Sequence, residues 1–145
     1  MQVSVRTLTA QDAACAAEME AACFPDAWGV DSVSSTIARR DFCGVCVEAD
    51  GEMVAYLLGS VLFEDGEVLR VAVPTMHRRK GFGALALDEF LSRAKAQGAT
   101  RVFLEVRAGN TAAIGLYTSR GFEKTRIREK YYDGVEDAVE MLKTL

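Results

Sequence analysis

The chain has 145 residues, 50% hydrophobic and 26% charged, with 17 Lys and Arg against 21 Asp and Glu for a net charge of −4. This length and composition suit one folded domain (1–145) with one substantial core, and exclude disorder, collagen-like sequence and low complexity. The acidic balance disfavours general nucleic-acid binding, which needs a face rich in Lys and Arg, while tolerating a cationic partner such as an amine or a basic peptide.

Residues Met1 to Leu8 alternate polar and apolar side chains, which predicts a first strand through Val3, Val5 and Leu8. Without a long apolar run this stretch is neither a signal peptide nor a membrane anchor, so a cytoplasmic protein is expected. Thr9 precedes Asp12 in the spacing of a helix start, and Ala13, Ala16, Ala17 and Met19 carry the helix to about Ala22. Phe24 to Gly29 break it, and Asp31 or Ser32 is expected to cap a second short helix bearing Val33 and Ile37.

Cys43 to Glu48 and Met53 to Leu62 flank Asp50-Gly51, a dipeptide that favours the positive φ angles of a tight hairpin. Glu64-Asp65-Gly66 predicts a second turn before a strand over Val68 to Val73. Cys43 and Cys46 form a single Cys-x-x-Cys with no second pair, and the only histidine, His77, is far away in sequence, so no metal site is expected. On a strand, positions three apart face opposite ways, so the four cysteines read as reduced and mostly buried thiols.

After Gly83, the residues Leu87, Phe90, Leu91 and Ala94 recur at i, i+3, i+4, i+7, one apolar face of a helix ending near Gly98. Thr100 to Val106 reads as a strand, Asn110 as the cap of a short helix through Arg120, and Gly121 as its stop. Phe122 to Arg128 and Glu136 to Leu142 complete the sheet. The expected class is a mixed-sheet α+β layer structure, with no internal repeat or linker.

Three features point to chemistry. Between the strand at Val71, Ala72, Val73 and the helix that follows lies a basic, glycine-containing loop: Arg78, Arg79, Lys80, Gly81, Phe82, Gly83. Glycines allow close backbone approach and the first helical N–H groups lack internal partners, so the turn suits a phosphate-bearing cofactor. Glu105 stands in the run Val102 to Val106, expected to be buried on both faces. A carboxylate there without a cationic partner would be pushed toward neutrality and become a useful base, whereas pairing with Arg107 or Arg101 would make it an ordinary ion pair. Tyr117 is either a core aromatic or an acid. His77 is read as a loop residue and not as a base.

Taken together, Val71-Ala72-Val73 followed by Arg78, Gly81 and Gly83 resembles the acetyl-CoA signature of the GCN5-related N-acetyltransferase (GNAT) family. Leu104 to Ala108 with Asn110, Ala113, Leu116, Tyr117, Gly121 and Phe122, and then Tyr131 to Gly134 with Glu136 to Ala138, resemble its RimI-type branch, the ribosomal-protein alanine N-acetyltransferases. The resemblance implies a GNAT fold: a mixed, mostly antiparallel sheet of six to seven strands with about four helices on both faces. It implies acetyl-CoA as co-substrate and no metal. Val71, Ala72 and Val73 would bond the pantetheine arm, Arg79 to Ala84 would wrap the pyrophosphate, and Asn110 would also touch the cofactor. It further implies Glu105 as base, Tyr117 as acid and a protein N-terminus, that of a ribosomal protein, as acceptor. Relatives often carry Pro-Trp-Ser or Pro-Trp-Thr where this chain has Ala27, Trp28 and Gly29.

Acetyl transfer needs a neutral amine and a proton for the departing thiolate. With Tyr near 10 and a thiol near 8.5, that last transfer is uphill by about 2 kcal/mol. An α-amine near 7.8 is roughly a tenth neutral at pH 7, whereas a lysine near 10.4 is neutral about once in 2,500, so a single modest base suits the α-amine better. A small-molecule amine or a lysine remains the alternative acceptor, and a non-catalytic acyl-CoA-binding regulatory module the alternative of a different class.

Overall fold

In the computed structural model, which describes residues 1–145, the alternating N-terminal residues form β1 (Val3–Thr7). The Thr9 N–H donates to the Asp12 carboxylate (2.8 Å) across a short 3-10 turn, and α1 (Ala13–Cys23) follows. Next come α2 (Val30–Ile37), β2 (Phe42–Ala49), β3 (Glu52–Leu62), β4 (Asp65–Ala72) and α3 (Phe82–Ala96). The chain closes with β5 (Arg101–Arg107), α4 (Thr111–Ser119), β6 (Glu123–Tyr132) and β7 (Glu136–Thr144).

The seven strands form one sheet in the order β1-β2-β3-β4-β5-β7-β6. Every neighbouring pair is antiparallel except β4 and β5, whose parallel alignment requires a crossover that α3 supplies. Leu87 and Phe90 of α3 pack with Val45, Val47, Leu57, Val102 and Leu104 on one face, where Tyr117 and Phe122 from the α4 region join them. On the other face Ala16, Met19 and Val33 of α1 and α2 cover Cys46, Tyr56 and Leu58. This is the expected α+β class, with seven strands and four helices. No helix is long and apolar enough to cross a membrane.

Local details depart from the sequence reading. The helix α2 starts at Val30 behind an extended Gly29, so Asp31 and Ser32 lie inside its first turn and do not cap it. The second turn is Phe63-Glu64, with Phe63 at φ +54°, because Leu62 pairs with Asp65 and thereby draws Asp65 and Gly66 into β4. Tyr131 and Tyr132 continue β6 to a turn over Asp133 to Val135, which shortens the expected loop. Asp50 (φ +52°) and Gly51 (φ +82°) do make the hairpin turn between β2 and β3. Cys43 and Cys46 are both buried, on opposite faces of β2, but Cys15 is exposed.

Candidate active site

A splay in the sheet makes the site. β4 and β5 are paired only from Asp65 opposite Arg101 to Val68 opposite Leu104. At that point Gly59 of β3 faces Val68 and Leu58 faces Arg70, so Leu69 is an extra residue and β4 bulges. Beyond it the two strands part. The resulting cavity of about 710 Å³ has Val68 to Val73 on one wall and Glu105 to Arg107 on the other. A strand edge that has left its ladder offers N–H and C=O groups to a ligand.

The basic loop closes one end. Arg79 (φ +63°) and Gly81 (φ +79°) turn the chain so that Gly81 precedes the first turn of α3, where a left-handed conformation costs a glycine little. Arg78, Arg79, Gly81, Phe82, Gly83 and Ala84 all line the cavity. Phe82 is buried in the core, so its backbone is what faces a ligand. The Arg78 Nε donates to the carbonyl of Val73 (2.8 Å), the residue just past β4, which occupies that acceptor and fixes the loop to the end of the strand. Lys80 is exposed and does not line the cavity. His77 does, with its ring edge-on to Phe82 at 6.4 Å.

Asn110 caps α4, its Oδ1 accepting from the Ala113 N–H at 3.1 Å, which leaves both N–H groups of its side-chain amide free to donate to a ligand. Seven residues on, Tyr117 is buried against Phe122, with ring centroids 5.7 Å apart, and lines the cavity. Burial, with Tyr132 nearby, pushes the Tyr117 phenol up to about 12.

Glu105 reaches the same cavity from β5. The expectation of a strand buried on both faces fails, since Arg101 and Phe103 are exposed and Glu105 is half-buried, because no helix covers that side of β5. Glu105 is not without a cation either. Its Oε1 lies 3.4 Å from Arg128 Nε, a partner on β6. Arg101 instead pairs with Asp65 and Arg107 with Glu136 (3.1 Å) and Asp26 (3.4 Å). Tyr132 stacks under the Arg107 guanidinium at 4.2 Å, and burial together with the nearby Glu105 raises its phenol.

Sequence reasoning missed a polar chain beside this cavity. Glu20 of α1 is fully buried and accepts from the Tyr56 hydroxyl, from Arg70 Nε (3.2 Å) and from the Trp28 N–H (3.0 Å). Arg70, next to the bulge, lies over the rings of Phe24 (4.1 Å) and Trp28 (4.9 Å) and donates to the Asp26 carbonyl (2.9 Å). The available signal was Glu20 itself, which falls on the buried helical face of Ala13 and Ala16 at i+7 and i+4.

Residues 14–122 match the family described as Acetyltransferase (GNAT). The chain belongs to that family. This acetyltransferase is 33% identical over 127 residues to the [Ribosomal protein bS18]-alanine N-acetyltransferase of Escherichia coli strain K12, covering 86% of this chain and 84% of that protein. The enzyme of the same name from Salmonella typhimurium is 32% identical over 142 residues, covering 96% and 94%. The crystal structure of the Escherichia coli ribosomal-protein-S18-alanine N-acetyltransferase superposes with a TM-score of 0.93 at 28% identity, covering 99% of this chain and 94% of that one. GNAT acetyltransferases use acetyl-CoA. The cavity of this one fits such a co-substrate: a parted strand edge for amide groups, and a basic loop with free helical N–H groups for phosphate oxygens.

Proposed function

We propose that this chain acts as one N-acetyltransferase domain that transfers acetyl from acetyl-CoA to the N-terminal α-amine of a protein, the alanine terminus of a small-subunit ribosomal protein, in the cytoplasm. The observation that carries the chemistry is that Glu105 and Tyr117 reach one cavity from two different elements, β5 and α4. The acceptor is taken from the two relatives at 32% and 33% identity that carry that activity in their names.

In this reading Val71, Ala72 and Val73 hold the pantetheine arm through backbone groups, and Arg78, Arg79, Gly81 to Ala84 and the Asn110 side-chain amide hold the rest of acetyl-CoA. The co-substrate supplies an activated thioester. Glu105 takes the proton from the attacking amine directly or through a water; Arg128 lies 3.4 Å from one of its carboxylate oxygens but donates its Nε hydrogen to Glu140 (3.1 Å), which leaves the Glu105 carboxylate open to the amine. Tyr117 keeps its proton on Oη well past neutral pH and delivers it to the departing sulfur.

With Tyr117 at about 12 and a thiol in water near 8.5, the transfer is uphill by about 5 kcal/mol, more than an unperturbed tyrosine would meet. The same apolar cavity raises the sulfur as well, which narrows the gap. The test is CoA release with peptides beginning in alanine beside free amino acids, polyamines and lysine peptides whose N-termini are blocked. Turnover concentrated on the alanine peptides is expected; none on them, with turnover of the other amines, would overturn the acceptor.

A further inference from the structure

Phe24 and Pro25 of the loop Phe24 to Trp28 and Tyr132 at the end of β6 all line the cavity, and one polar chain links that loop to Glu136 at the start of β7, across the β6–β7 turn. It runs from Tyr56 to Glu20, from Glu20 to Arg70, from Arg70 to the carbonyl and carboxylate of Asp26, and from Asp26 to Arg107, which pairs with Glu136. Its inner end is built tightly: the Glu20 side chain is 0% exposed and that of Arg70 13%. A carboxylate so placed must keep its donors, because losing one leaves a buried charge unpaired.

Those donors come from three separate elements: the Trp28 N–H from the loop, Arg70 from the bulged strand and Tyr56 from β3. The outer end is looser. Asp26 is 40% exposed, and although burial opposes it, the guanidinium groups of Arg70 and Arg107 hold its carboxyl below the usual range. Arg70 is the joint between the two ends. Its planar fork satisfies Glu20 and Asp26 at once while its faces cover Phe24 and Trp28, a combination a lysine cannot reproduce.

We propose that Glu20 is a positioning residue for the acceptor: acting through Arg70, it holds loop Phe24 to Trp28 in place as one wall of the acceptor entrance. This rests on the acceptor entering between that loop and the β6–β7 turn. It concerns the loop and not the donor half, since the loop that turns into α3 contributes nothing to the chain of contacts.

Trp28 is the only tryptophan in the protein, so its fluorescence reports this loop without labelling. Glu20→Gln keeps the size but weakens the charge-assisted bonds, Arg70→Lys keeps the charge but not the fork, and Tyr56→Phe removes a single hydroxyl should either of the others fail to fold. The expected result is red-shifted Trp28 emission with easier acrylamide quenching. The acceptor KM should rise roughly tenfold, the worth of one hydrogen bond to a charged group, while the KM for acetyl-CoA stays unchanged. Arg70→Lys should not rescue. The KM comparison uses whichever amine the wild type acetylates, so failure of alanine peptides as acceptors would not decide it. Unchanged Trp28 fluorescence in folded variants would overturn the proposal, and so would an equal rise in both KM values.

Discussion

In the proposed mechanism Tyr117 and Glu105 divide the proton work according to their surroundings. The phenol is buried and pushed up to about 12, whereas the carboxylate is half-buried beside Arg128. Tyr117→Phe should lower kcat about a hundredfold with the KM for acetyl-CoA nearly unchanged, as steady-state kinetics would show. Glu105→Gln should also cost about a hundredfold, the loss being greatest at low pH where less amine is neutral; a uniform loss across pH would count against its role as base. Burial also holds Tyr56 well above the ordinary phenol range, reinforced by its bond to Glu20. Both tyrosines are therefore protonated when folded at a pH where the unfolded chain has begun to ionise. From Tyr117 this stability, about 3 kcal/mol, is complete below pH 10 and lost as pH climbs toward 12, while the loss from Tyr56 also begins above pH 10 and continues to higher pH. Thermal melts should fall steeply above pH 10, and less steeply in Tyr117→Phe. At this scale the sequence made Glu105 and Tyr117 visible as candidates. It hid the Arg128 partner, because that pairing joins two strands separated by β7 in the sheet.

The elements place these groups by simple means. Asn110 caps α4, so Asn110→Ala should remove about 1 kcal/mol and lower the melting temperature by about 3 °C, with Tyr117 on the same short helix losing some of its placement. Gly81 holds φ +79° ahead of α3, where a β-branched residue is strained. Gly81→Val should raise the KM for acetyl-CoA severalfold and leave the acceptor KM alone, which separate titrations of the two substrates would read. Periodicity made α3 and the β2–β3 hairpin legible, since Leu87, Phe90 and Ala94 repeat at helical spacing and Asp50-Gly51 accepts positive φ. The bulge at Leu69 was not legible. It depends on register against β3, which no local pattern in Val68 to Val73 specifies. The start of α2 was misplaced for a related reason: an extended glycine opens a helix without leaving a side-chain signal.

Across the whole molecule, the single parallel pair in the sheet is what makes a site. Antiparallel neighbours elsewhere stay paired for most of their length despite bulges, whereas β4 and β5 part after Val68 and Leu104 and leave a cavity that residues of α3 and α4 also line. The relatives at 33% and 32% identity and the 0.93 superposition attach acetyl transfer to this architecture. Strand order was beyond reach of the sequence, because β7 inserts between β5 and β6 only through long-range pairing. In the proposed function the acceptor atom is an N-terminal α-nitrogen. The most direct measurement is tandem mass spectrometry of a peptide with a free N-terminal alanine and an internal lysine, after reaction with acetyl-CoA. Acetyl on the alanine nitrogen alone is the predicted result; acetyl on the lysine, or on neither while small amines are consumed, would contradict it.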